Sequence, residues 1–115
     1  MPTKREWEAA AGPTRYAWGD DFIPGNVNSK ESGLDQTTPV PMYPTGATPA
    51  GVHDLNGNVW EWILKPAGRL RGGSWWNDAE GVTSSARNGY DPLLRINYIG
   101  FRVVVVPISR GAGEE

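Results

Sequence analysis

Cysteine is absent from this sequence, and histidine occurs once. The first absence removes disulfides, thiolate nucleophiles and thiolate metal ligands, argues against an oxidising compartment, and leaves the fold to non-covalent forces. The second removes any histidine cluster for iron or zinc. An excess of one charge is also missing: 11 Lys and Arg stand against 13 Asp and Glu for a net charge of −2, and the basic residues are scattered. Nucleic acid is therefore not an expected partner. No apolar run reaches the roughly 18 residues that cross a bilayer. The opening "MPTKREWEAAAG" lacks the apolar segment that follows the charges of a secretory signal. These features predict a cytoplasmic or otherwise soluble chain with no membrane insertion.

What is abundant is tryptophan, glycine and proline, with 6, 15 and 10 of the 115 residues. A buried Trp withdraws about 150–250 Å² from water, so the composition predicts large aromatic anchors among many turns. The length fits one domain over 1–115, with "ISRGAGEE" at 108–115 read as a frayed tail. One helix is clear in "TKREWEAAAGP": Thr3 as N-cap, Glu6 completing a capping box, and Gly12-Pro13 as the stop. Trp7, Ala10 and Ala11 share the face expected to pack on the sheet. From Tyr16 to Gly51 turn residues dominate, yet Trp18, Phe22, Ile23, Val27, Leu34, Val40 and Tyr43 recur often enough to pin an ordered loop. "NVWEWIL", "GRLRGGSW" and "GFRVVVVPI" read as strands, with Val103 to Val106 expected in a doubly buried sheet core. Trp60, Trp62, Trp75 and Phe101 are expected beneath the irregular loops.

The ordered set "PTKREWEAAA", "YAWGDDFIPGNVN", "GVHDLNGNVWEW", "RLRGGSWW" and "IGFRVVV" covers nearly the whole chain. It resembles the C-terminal part of the formylglycine-generating enzyme (sulfatase-modifying factor) family, whose fold is C-type-lectin-like. The resemblance implies an α+β domain: a small twisted antiparallel sheet with one or two helices and long ordered loops. Family enzymes hold copper with a pair of cysteines, and none is present here, so no copper is expected. The related sulfoxide synthases take iron from histidines in a separate helical domain, so iron is not expected either. His53 reads as a hydrogen-bonded structural residue rather than a lone acid or base. No catalytic residue is expected, and the chain is read as a non-enzyme.

"NGNVWEW" has two readings. Asn-Gly and Gly-Asn favour positive φ, which can aim successive carbonyls at one point. The resemblance implies a structural calcium held by the carbonyls of Asn56, Gly57 and Val59 with the Glu61 carboxylate, an oxygen-only set suited to that ion. The other reading makes Glu61 a buried acceptor of backbone amide hydrogen bonds. A second calcium site of the family begins at Asn26-Val27, but Ser32 of "ESGL" stands where its aspartate belongs.

Residues 71–102 follow no secondary-structure period. Within them Gly72-Gly73-Ser74-Trp75, Arg87, Pro92, Arg95 and Ile99-Gly100-Phe101-Arg102 fall in the order seen in the variable proteins of diversity-generating retroelements, which share this fold. That resemblance implies a fixed frame around codons rewritten by an error-prone reverse transcriptase. An Asn codon changed only at its adenines cannot yield Trp, so Trp76 is fixed or templated differently. The implied ligand-binding residues are Trp76, Asn77, Asp78, Glu80, Ala86, Asn88, Gly89, Tyr90, Leu94, Ile96, Asn97 and Tyr98, a mixture that suits a contact surface and not a core. The ligand would be a protein or a glycan. Two alternatives stand beside it: a plain loop with Arg87 and Arg95 in internal salt bridges, and a degenerate or partial sulfatase-modifying enzyme domain without its cysteines. Exposure of Trp76, Tyr90, Leu94, Ile96 and Tyr98 separates a contact surface from a plain loop.

Overall fold

The computed structural model describes residues 1–65, 67–91 and 96–105. Helix α1 runs over Lys4–Ala11 because its ends are locally satisfied. The Thr3 hydroxyl accepts from Glu6 N at 3.2 Å and the Glu6 carboxylate accepts from Thr3 N at 2.9 Å, closing the capping box. Trp7 and Ala11 are buried as expected, but Ala10 is exposed: the inward stripe is narrower than the apolar spacing suggests.

The segment after the helix is held by short 3-10 turns at Pro24–Asn26, Lys30–Ser32 and Pro44–Gly46. Its aromatic anchors sit near its start. Tyr16 is fully buried and stacks on Trp18 with centroids 4.9 Å apart, and Phe22 tilts against Tyr16 at 5.7 Å. Two apolar clusters result: Trp7, Ala11, Ala17, Leu55 and Ile63 form one, Tyr16, Val27 and Val82 the other, and Trp18 packs against both. Ile23, Leu34 and Val40 are exposed rather than buried, a correction to the expected anchor set.

The sheet has four strands: β1 Trp60–Trp62, β2 Arg69–Arg71, β3 Arg87–Gly89 and β4 Ile99–Gly100, in spatial order β3-β2-β1-β4. β1 and β2 are antiparallel, as are β2 and β3, but β4 joins β1 in parallel, so the sheet is mixed rather than antiparallel. β1 and β2 are shorter than their motifs suggest, β4 ends at Gly100 where the "GFRVVVVPI" motif begins, and β3 arises in a stretch read as having no period. β2 stops where Gly72 and Gly73 turn with φ of 96° and 75°. A Cβ on Gly72 would lie 2.3 Å from the Leu55 carbonyl oxygen, and one on Gly73 would lie 2.4 Å from that of Gly81, so only glycine fits the turn.

The largest departure from expectation is the valine run. Val103 and Val105 are 68% and 87% exposed and Val104 is exposed as well, while Val106 lies outside the described residues. β4 pairs through only two residues at the sheet edge, so the chain beyond it is not enclosed by strands on both sides. Phe101, expected in the core, is 67% exposed and instead lines an apolar trough of about 780 Å³ with Trp62, Leu64, Ile96 and Ile99. Trp60 is buried, and Trp62 and Trp75 are half-buried. The expected tail at 108–115 lies outside the described residues. No described helix is long and apolar enough to cross a membrane.

Candidate functional site

The framed stretch starts from the Gly72-Gly73 turn, which carries the chain out of β2 into a hydrogen-bonded loop. Ser74, completely buried, donates from its N–H and its hydroxyl to Asn77 Oδ1 at 3.0 and 2.8 Å, and its Oγ accepts from Trp76 N at 3.2 Å. Asp78 Oδ1 accepts from the amides of Glu80 and Gly81, both at 3.1 Å. The Asn77 carbonyl accepts from Lys30 N at 2.8 Å, tying this loop to the segment before the sheet. Asn77 and Asp78, expected as ligand contacts, thus shape the loop. Glu80 reaches outward to an exposed ion pair with Arg15 at 2.7 Å.

Trp76 is 65% exposed and meets Trp75 edge-on, with centroids 6.0 Å apart. The indole N–H of Trp75 donates to the Asn97 carbonyl at 3.3 Å, and the hydroxyls of Tyr98 and Tyr90 lie 3.3 Å apart. That hydrogen bond with Tyr90 holds the Tyr98 phenol above its ordinary pKa. Tyr98 is anchored through its carbonyl, which accepts from Trp60 N at 2.7 Å. Hydrogen bonds and ring contacts therefore link Trp76, Trp75, Asn97, Tyr98 and Tyr90. Ile96, Asn97 and Gly89 are exposed, whereas Ala86, Asn88, Tyr90 and Tyr98 are half-buried. Leu94, Pro92 and Arg95 lie outside the described residues. Arg87, expected as a fixed inward element, is exposed on β3. β3 is the outer strand of the sheet and is bordered by β2 alone, which leaves that side chain in solvent.

The "NGNVWEW" turn forms as read, with positive φ at Gly57 and Asn58 of 72° and 67°. The Asn56 side chain is an interior bracket: Oδ1 accepts from Ala17 N at 2.9 Å, and Nδ2 donates to the Val82 carbonyl at 2.7 Å. Glu61 is 4% exposed. Its Oε1 accepts from Trp7 Nε1 at 3.1 Å and from Arg102 Nε at 2.5 Å, and its Oε2 accepts from Arg102 NH2 at 2.8 Å. The donors are thus side chains rather than backbone amides. Burial pushes the Glu61 carboxyl above its ordinary pKa, with Arg102 and Trp7 opposing. A calcium ion on this carboxylate would face a guanidinium already seated there, so the donor set as arranged does not fit a divalent cation. Among the described residues no three acidic or histidine side chains gather as a metal-binding group. At the second family site, where Ser32 replaces the aspartate, the Ser32 hydroxyl donates to the Val27 carbonyl at 2.9 Å. His53 is half-buried, with its Nδ1 lacking a hydrogen-bond partner among the described residues.

Two arginines carry contacts that sequence reasoning missed. Arg71 donates to Glu8 at 2.8 Å and to the Ser84 carbonyl at 2.7 Å, and sits 5.0 Å from the Trp7 ring centroid, joining helix, sheet and loop. Its hydrogen bond lowers the Glu8 carboxyl below the ordinary range. Arg102 was legible as part of a frame motif, but no local signal pairs it with a glutamate 41 positions away.

This geometry defines the class: an α+β scaffold of C-type-lectin-like fold in which a short sheet frames an irregular loop bearing aromatics. Residues 1–107 match the sulfatase-modifying factor enzyme 1-like domain, and the chain belongs to that family. It is 34% identical over 128 aligned residues to the inactive C-alpha-formylglycine-generating enzyme 2 of Mus musculus, covering 89% of this chain and 41% of the relative. It is 40% identical over 80 residues to the formylglycine-generating enzyme of Streptomyces coelicolor, covering 54% of this chain and 24% of that one. Treponema denticola variable protein 1 shares the fold with a TM-score of 0.72 at 24% identity, over 88% of this chain and 45% of the other. CarF superposes with a TM-score of 0.68 at 26% identity, over 88% and 44%. The chain spans less than half the length of these proteins.

Proposed function

We propose that this chain is a ligand-binding module, the variable protein of a diversity-generating retroelement, whose contact surface is drawn from residues 76–98. The observation that carries the reading is the exposed Trp76 beside Trp75, on a loop whose base is locked by Ser74 and Asn77, linked through Asn97 to the Tyr90–Tyr98 pair on the connection between β3 and β4. Rigid aromatics held by a buried polar frame present contact area at little entropic cost. The fold shared with Treponema denticola variable protein 1 supports the same reading. The ligand is a protein or a glycan, and neither nucleic acid nor membrane insertion is part of the proposal. The test is the neighbouring DNA. A reverse-transcriptase gene with a near-copy of the codons for 76–98, differing at adenines, is expected. A chromosome lacking both would return this stretch to a plain loop.

The reading of a degenerate enzyme draws on the relative named an inactive formylglycine-generating enzyme. It converges on the same chemistry, because a chain without cysteine offers no soft ligand set for copper. Incubation with a sulfatase-motif cysteine peptide and copper should give no formylglycine by mass spectrometry, and turnover above the buffer rate would reject the non-enzymatic reading.

A further inference from the structure

We propose that Arg102 supplies, as a guanidinium, the positive charge around which the Glu61 carboxylate and the carbonyls of His53 and Asp54 gather, so that this oxygen cluster, flanking the Asn-Gly-Asn turn in sequence, keeps its shape without a divalent cation. Four oxygens from three residues converge on that one side chain. They are both carboxylate oxygens of Glu61, at 2.5 and 2.8 Å, and the carbonyls of His53 and Asp54, at 3.0 and 2.9 Å from NH2. Carbonyls and a carboxylate brought together with no cation among them would repel one another, and a carboxylate as buried as Glu61 is costly without a charged partner.

The sheet register explains why Arg102 is the partner. Glu61 lies opposite Gly100 in the parallel β1–β4 pair. Two residues further along an extended chain returns to the same face, which puts Arg102 on the side of Glu61, while Gly100 itself has no side chain to stand between them. The planar fork of arginine then meets the carboxylate with two nitrogens and the backbone carbonyls with a further proton, a geometry that a lysine ammonium cannot reproduce from one point. The hydrogen bond from Trp7 to Glu61 extends the arrangement to helix α1.

The experiment compares melting of the unmodified chain in chelator and in millimolar calcium, then repeats it on Arg102→Met and Arg102→Lys. Terbium luminescence sensitised by Trp7, which hydrogen-bonds Glu61, reports directly on cation entry. The expected result is a Tm that ignores chelator and calcium, no terbium emission that depends on Glu61, a fall of more than about 10 °C for Arg102→Met, and an intermediate fall for Arg102→Lys. A Tm that drops in chelator and returns with calcium would overturn the proposal, as would terbium emission abolished by Glu61→Gln, or an Arg102→Met protein as stable as the parent. Where Arg102→Met gives no folded protein, the chelator comparison and the terbium signal of the unmodified chain decide.

Discussion

Asp54 combines two costs in one side chain. Its backbone sits at φ of 54°, a region that favours Asn and Gly, and its Oδ2 is buried without a hydrogen-bond partner among the described residues. Burial raises its pKa, with Arg102 and His53 opposing less strongly. A carboxyl whose folded pKa is raised favours the folded state below its unfolded pKa, and that contribution is lost as pH rises through the folded value. Asp54→Asn removes the charge, keeps the shape and suits the left-handed backbone. It should therefore raise the Tm at neutral pH, with the gain shrinking as the buffer is taken down through the carboxylate range. Thermal melts of both proteins across that range check it, and a gain independent of pH would assign the effect to the backbone alone. Glu8 works in the opposite direction. Arg71 lowers its pKa, so its contribution is present above the ordinary carboxylate value and is lost as pH falls through the folded one.

Among the elements, what was legible in the sequence is what local chemistry decides. Helix α1 follows from Thr3, Glu6 and Gly12 because a capping box and a glycine stop act within a few residues. The Asn-Gly-Asn turn follows for the same reason. Strand length and burial do not, because both depend on partners far along the chain. Val103 to Val105 have strong β propensity, yet with β4 at the sheet edge that propensity has no second neighbour to satisfy. Trp60 and Phe101 make the contrast measurable, since both lie in motifs that look like strands and only the first is enclosed. Trp60→Ala should cost about 3–5 kcal/mol in denaturant titration, and Phe101→Ser should stay within about 0.5 kcal/mol. Equal losses at the two positions would mean that the trough beside Phe101 is covered in solution.

Across the whole molecule, the family assignment came from the order of motifs, while the division of labour inside residues 74–98 needed three dimensions. Sequence alone places both Asn77 and Trp76 among the contact residues. The fold separates them: Asn77 Oδ1 satisfies both the amide and the hydroxyl of the buried Ser74, and Trp76 stands in solvent. Their mutational responses should diverge accordingly. Asn77→Ala leaves the Ser74 donors inside the loop without an acceptor, a loss of about 1–3 kcal/mol. Trp76→Ser, Ile96→Ser and Asn97→Ser remove exposed side chains and should each change stability by no more than about 0.5 kcal/mol. A surface built to vary requires that separation, since new residues must be accepted at the contact positions without unfolding the frame. The check is a set of chemical melts on the four single variants and on the triple Trp76, Ile96 and Asn97 substitution. If the triple variant unfolds while Asn77→Ala does not, then the exposed side chains hold the loop together, and the proposed contact surface is structural instead.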